Sequence, residues 1–428
     1  MKLNLSYGRH GLTLDIPDTL DVVQPCDSSS LSDLEAAVNG ALKAPIGSPP
    51  LADLVSPSAK IAVIHTDITR ATPNNILLPL LLRHLLKHGA DQQKTTLVNS
   101  LGTHRRQSEA EQRALLGDWI VDDFPCIQHD FDDRQALVEI GVTSFGTPIK
   151  INRTVAEADL VILTGFIEPH FFAGFSGGPK AILPGVASLS VTMANHGCEM
   201  ISHPNATWGV CEGNPLWEEM LEAARMVRQT FLLNVALNNQ NEISAVFAGE
   251  LYAAHQAGRT YVRQHAMQPV AHDYDFVITT NNGYPLDQNL YQSVKGMSAA
   301  GNICRKGGAI LALTACEDGL PEHGGYADFL RKAGSPQAVL DLLNSPGFNM
   351  HDQWTVQVQA LLQQRTDIFV YSEGLSERQI REALFKPCKD PAACLHDMLA
   401  KYGERGCVLP RGPMTIPYIQ DNSSSQAG

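Results

Sequence analysis

The chain has 428 residues, 44% hydrophobic and 18% charged, enough apolar material for a sizeable core spread over two or three domains. Its formal charge of -13 argues against a broad nucleic-acid surface, because phosphates need a basic stripe that its Lys and Arg residues do not form. Nine scattered cysteines without a C-x-x-C pair argue against a disulfide framework and a structural zinc site, so a globular enzyme of the cytoplasm is expected.

The opening MKLNLSYGRHGLTLDIP alternates polar and apolar residues and breaks at Gly8 and Gly11, unlike a signal peptide or a membrane span. Lys60 to His65 is an apolar run that predicts a strand, and leucines at helical spacing between Asn75 and His88 predict a helix. Between them stands Asp67-Ile68-Thr69-Arg70-Ala71-Thr72-Pro73, whose hydroxyls and N–H groups suit an anion and whose Arg70 offers a planar fork to a carboxylate. A helix cap with a surface arginine is the alternative.

A second strand, Thr95 to Ser100, leads into Leu101-Gly102-Thr103-His104-Arg105-Arg106, where His104 beside two cations suits a base near neutral pH or a hydrogen-bonded structural histidine. A third, Ala158 to Gly165, leads into GFIEPHFFAGFSGGPKAILPGVASLSVTMANH, residues 165–196. Each strand puts polar groups just beyond its end, where open α/β sheets bind ligands.

In the third segment Ser176, Gly177 and Gly178 have the character of a phosphate cradle. The turn is not a Walker A loop, since Pro179 precedes Lys180 and Ala181 follows it. The apolar surroundings of Lys180 suggest a buried amine able to act as a nucleophile. His170 and His196 bracket it, the latter after the helix-like SLSVTMAN; one histidine without a clustered zinc pattern is a metal ligand only if a cofactor brings the other donors.

A second α/β series starts near Asp273, with strands at 276–280, 309–313 and 368–371 and a helix from Leu290 to Ala300. In that helix Gln292 and Lys295 share a face beside Tyr291, suited to a carboxylate or ketone oxygen or simply exposed. Trp354 is a pocket wall or a core residue. The tail from Cys407 carries another strand-like stretch expected to return to the first domain, and DNSSSQAG at the end is expected to be disordered. The fold class expected is α/β, two domains with mainly parallel sheets: residues 1–272 with 405–428, and 273–404.

Taken together, DITR at 67–70, GTHR at 102–105, EPHFFAGFSGGPKAILPG at 168–185, NH at 195–196 and YQSVKG at 291–296 resemble the nickel-dependent lactate racemase family, racemases and epimerases of 2-hydroxy acids. The resemblance covers nearly the whole chain. It implies an active site in the cleft between two domains and a nickel-pincer nucleotide, a pyridinium-3-thioamide-5-thiocarboxylic acid mononucleotide, attached at Lys180, with nickel completed by His196. It further implies His104 and His170 as an acid/base pair, and Arg70 on the substrate carboxylate. Tyr291, Gln292, Lys295 and Trp354 would lie at the substrate, and Asp67, Thr69, Ser176, Gly177 and Gly178 at the cofactor.

The implied reaction is reversible hydride transfer from the substrate Cα through a 2-keto acid, which avoids a carbanion beside a carboxylate. The implied partners are a small 2-hydroxy acid, with lactate or a similar short-chain acid favoured, and the cofactor biosynthesis proteins; no nucleic acid or membrane is expected. Malate is the alternative substrate, with Arg105 and Arg106 on its second carboxylate. From other classes, a nucleotide-dependent hydrolase or transferase using FSGGPK, or a noncatalytic cofactor-binding protein, remains open.

Overall fold

The computed structural model describes residues 1–321, 325–348, 350 and 353–420. His351 and Asp352 beside Trp354, and the closing segment 421–428, lie outside the described residues. The chain forms two compact units, Asp27–Arg263 and, from both ends of the chain, Met1–Cys26 with Gln264–Gly428.

The first unit is built on a six-stranded sheet in the order Ile243–Gly249, Thr230–Leu237, Leu160–Phe166, Ile61–Thr66, Thr95–Ser100, Cys126–Gln128. Only its first pair is antiparallel. The central strand Leu160–Phe166 is buried at every residue, as a parallel strand covered on both faces must be. The predicted leucine helix runs Asn74–Lys87 and lays Leu77, Leu78, Leu81, Leu82 and Leu85 into the core against Ile61, Val63 and Ile162. Its i, i+4 spacing puts these leucines on one face, which is why a helix and not a strand follows the DITR turn.

The second unit has its own sheet in the order Lys386–Pro387, Asp367–Tyr371, Cys304–Leu313, Tyr274–Thr280, Gly406–Leu409, Asp21–Val22, parallel throughout. Here the expected division of the chain differs from the structure at both ends. The strand Gly406–Leu409 does not return to the first unit but pairs with Tyr274–Thr280, Phe276 opposite Gly406. A Cβ on Gly406 would stand 2.3 Å from the Phe276 ring, so glycine lets this short strand enter the sheet. The alternating N-terminus is a hairpin, Lys2–Leu5 with Leu12–Asp15, whose Leu5 and Leu14 enter the second unit's core beside Phe276 and Val408.

All nine cysteines are free. Among the described residues no helix is long and apolar enough to cross a membrane.

Candidate active site

Three adjacent parallel strands of the first unit, Thr95–Ser100, Ile61–Thr66 and Leu160–Phe166, end in the three motifs. Asp67, His104 and the segment from Glu168 to Lys180 thus follow the carboxyl ends of neighbouring strands, the place where doubly wound sheets form their crevices. The backbone ties two of these loops together, Gly102 N–H donating to Gly185 O at 3.0 Å.

Asp67 organises the first cluster. Its Oδ1 accepts from Thr69 N at 3.0 Å and Thr69 Oγ1 at 2.6 Å, while Oδ2 accepts from His104 Nδ1. Burial alone would raise the Asp67 pKa, but the bond from His104, the charges of His104 and Arg70 and the Thr69 hydroxyl outweigh it and hold the group at about 2. The carboxylate is therefore ionised, so His104 keeps its proton on Nδ1 and presents Nε2 as the free ring position. Thr69, assigned to the cofactor by sequence, is engaged here with Asp67.

The cations expected to act on His104 are directed elsewhere. Arg105 makes a two-pronged pair with Glu111 at 2.6 and 2.9 Å, and Arg106 pairs with Asp130 at 3.1 Å. Glu111 is also the N3 residue of a capping box begun by Ser108, which fixes the carboxylate that Arg105 meets. Arg70 is exposed, and its charge is felt by Asp67.

The second cluster is arranged around Phe172, a residue the sequence reading passed over. Its ring lies 4.6 Å from that of His170, 5.1 Å from that of His196 and 5.7 Å from Lys180 Nζ. His170 closes a two-residue hairpin, Pro169–His170 against Gly174–Phe175, and Ala173 N–H donates to its Nδ1 at 3.3 Å. His196 caps the helix Leu189–Asn195 and is 4% exposed. Burial first, and then the nearby charge of Lys180, lower the His196 pKa to about 3, so its imidazole is neutral. A neutral imidazole is the form that binds a metal. Lys180 is half-buried, not deeply buried as its apolar neighbours suggested.

The polar groups of the glycine turn are engaged by the surrounding protein. Ser176 Oγ donates to Phe166 O at 3.1 Å and accepts from Glu168 N at 2.9 Å, and Gly178 N–H donates to Asn234 Oδ1 at 2.8 Å. Gly177 and Gly178 have φ of 71° and 55°, and a Cβ would stand 2.5 Å from Asn234 Oδ1 at the first and 2.7 Å from the His255 ring at the second. The glycines thus admit Asn234 and His255, whereas the sequence suggested close approach by a phosphate. Asn234, the polar residue inside the apolar run FLLNVAL, carried a sequence signal that went unread.

In the second unit Tyr291, Gln292 and Lys295 are the half-buried stripe of the helix Leu290–Gly301, whose Ser293, Val294 and Gly296 are buried. Trp354 Nε1 donates to Tyr291 OH at 3.1 Å, so these two sequence candidates meet; Trp354 itself is 9% exposed.

The chain is similar to known proteins over nearly its whole length. Residues 7–209 match the lactate racemase N-terminal domain and residues 270–408 the lactate racemase C-terminal domain. The chain is 36% identical to a lactate racemase of Thermoanaerobacterium thermosaccharolyticum over 426 residues, 97% of this chain and 98% of the relative. It is 40% identical to a lactate racemase of Lactiplantibacillus plantarum over 421 residues, 96% and 98% of the two chains. Its structure matches the lactate racemase apoprotein of T. thermosaccharolyticum with a TM-score of 0.91 at 34% identity, over 98% of this chain and 100% of that one. A Thermotoga maritima protein shares the fold with a TM-score of 0.70 at 18% identity, over 92% and 100%. With both domains matched in order and relatives aligned over almost their full length, the chain belongs to the lactate racemase family, a family of isomerases.

Proposed function

We propose that this protein interconverts the enantiomers of lactate with a nickel-pincer nucleotide tethered at Lys180. The observation that carries the cofactor assignment is the meeting of Lys180, His170 and a neutral His196 around the single ring of Phe172. Among the described residues no group of three or more His, Cys, Asp or Glu side chains could hold a metal, so His196 suits an ion most of whose donors come with a bound molecule. Lys180 is an amine near that donor, close enough for its charge to act on the His196 ring. When bound, the nucleotide supplies the hydride acceptor and donor at the substrate Cα.

The protein's own residues do the rest. Arg70 takes the lactate carboxylate as a two-pronged partner. His104, its Nδ1–H held by Asp67, accepts the hydroxyl proton at Nε2 and becomes an imidazolium that the ionised carboxylate stabilises. His170, whose Nδ1 accepts from Ala173 N–H and whose ring packs on Phe172, is assigned as the second proton-handling group. Tyr291, Gln292, Lys295 and Trp354 are assigned to substrate orientation, and the biosynthesis proteins of the cofactor are the partners required for loading.

Lactate is favoured over malate because Arg105 and Arg106, the cations a second carboxylate would need, are held by Glu111 and Asp130. Protein coexpressed with the cofactor-making proteins should convert either pure lactate enantiomer to a racemate in deuterated water with the protium kept at Cα. Extensive deuterium at Cα would overturn hydride return in favour of proton abstraction.

A further inference from the structure

We infer that Asn234 and His255 are positioning residues, a two-point clamp that sets the backbone of the glycine turn and so aims Lys180 at its cofactor; this rests on the tether reading above. Asn234 stands in the middle of the strand Thr230–Leu237, opposite Gly165 of the neighbouring strand, and is 1% exposed. Both ends of its amide are used: Nδ2 donates to Leu163 O at 3.3 Å and Oδ1 accepts from Gly178 N–H at 2.8 Å. The sheet thereby reaches out of its plane and holds the turn two residues before Lys180.

His255 holds the same turn from the opposite partner, the helix Leu251–Ala266. Its Nε2 donates to Ser176 O at 2.9 Å, and its ring stacks on Trp217 at 6.3 Å between centroids. The ring is 0% exposed, and its other nitrogen, Nδ1, is buried with no hydrogen-bond partner among the described residues. A residue that merely filled this space would be apolar, since an unbonded buried nitrogen costs stability. The glycines record the same constraint, because side chains at Gly177 or Gly178 would collide with Asn234 Oδ1 or the His255 ring.

The clamp does not stand alone on its helix. One and two turns further on, Arg259 pairs with Glu212 at 2.9 Å and Arg263 donates to Gly209 O, so His255, Arg259 and Arg263 form one stripe at i, i+4 and i+8. Gly209 N–H in turn donates to Gly174 O at 2.9 Å, and Gly174 stands opposite His170 in its hairpin. The stripe therefore fixes both the tether turn and the His170 hairpin.

The test compares wild type, Lys180→Ala, Asn234→Leu, His255→Phe and His255→Gln, each coexpressed with the cofactor-making proteins and weighed intact. Asn234→Leu and His255→Phe are expected to fold and to carry about fivefold less adduct, with His255→Gln, which keeps a donor for Ser176 O, recovering most of it. In the cofactor-free proteins, amide exchange across residues 176–180 should speed about tenfold in Asn234→Leu and His255→Phe while the rest of the sheet is unchanged. Full loading of folded Asn234→Leu and His255→Phe overturns the clamp and leaves the tether standing. Absence of adduct from wild type overturns the tether, and the clamp's role in aiming it with it. If Asn234→Leu does not fold, the contrast between His255→Phe and His255→Gln decides.

Discussion

The Asp67 carboxylate binds the His104 ring through Oδ2 and Nδ1 while its other oxygen takes both donors of Thr69. One buried acid thus selects which ring nitrogen of the proposed base faces the substrate. Asp67→Asn keeps the size of the side chain but cannot stabilise an imidazolium. It is expected to lower kcat about 10²- to 10⁴-fold with a much smaller change in KM for lactate, measured by chiral chromatography.

The same pair makes the cofactor-free protein acid-sensitive. Asp67 is held at about 2 in the folded chain, below the ordinary carboxylate value of 3.8, so it binds a proton less readily folded than unfolded. Its contribution to stability is therefore complete above the ordinary value and is lost as pH falls through the window from 3.8 toward 2. Chemical denaturation across that window should show a shallower loss for Asp67→Asn than for wild type; equal slopes would contradict the linkage.

Arg70 and Arg105, each just after a strand end, should separate in kinetics. Arg70→Lys loses the planar fork and should raise KM for lactate by about 10- to 100-fold. Arg105→Ala, whose guanidinium is engaged with Glu111, should leave KM for lactate within about twofold and give no change in discrimination against malate. Initial rates on both acids check this.

In the second unit, Trp354 and Tyr291 should be coupled through their hydrogen bond. A double-mutant cycle of Trp354→Phe and Tyr291→Phe in urea denaturation should return about 1 kcal/mol of interaction. Additive effects would mean the bond contributes nothing.

The parts of this molecule that the sequence made legible are those in which local pattern and chemistry coincide. An apolar run followed by a polar turn marked the strands before Asp67, His104 and Glu168, and leucine spacing marked Asn74–Lys87. What escaped depends on distant partners. Four buried residues at Gly406–Leu409 suit any parallel sheet, and only the fit of Gly406 against Phe276 decides which one accepts them. Likewise, FSGGPK reads as a phosphate cradle until Asn234 and His255, far along the chain, fill the space its glycines leave open. Arg105 and Arg106 read as cations beside His104 until Glu111 and Asp130 claim them.

The proposed function gives the cofactor to Lys180 and the nickel to His196. Protein coexpressed with the cofactor-making proteins should be digested, the peptide containing Lys180 weighed, and nickel measured in the same sample. The expected result is a nucleotide-sized adduct on Lys180 with close to one nickel per modified chain, adduct lost in Lys180→Ala and nickel lost in His196→Ala. Lactate racemisation by protein whose Lys180 peptide is wholly unmodified would contradict it.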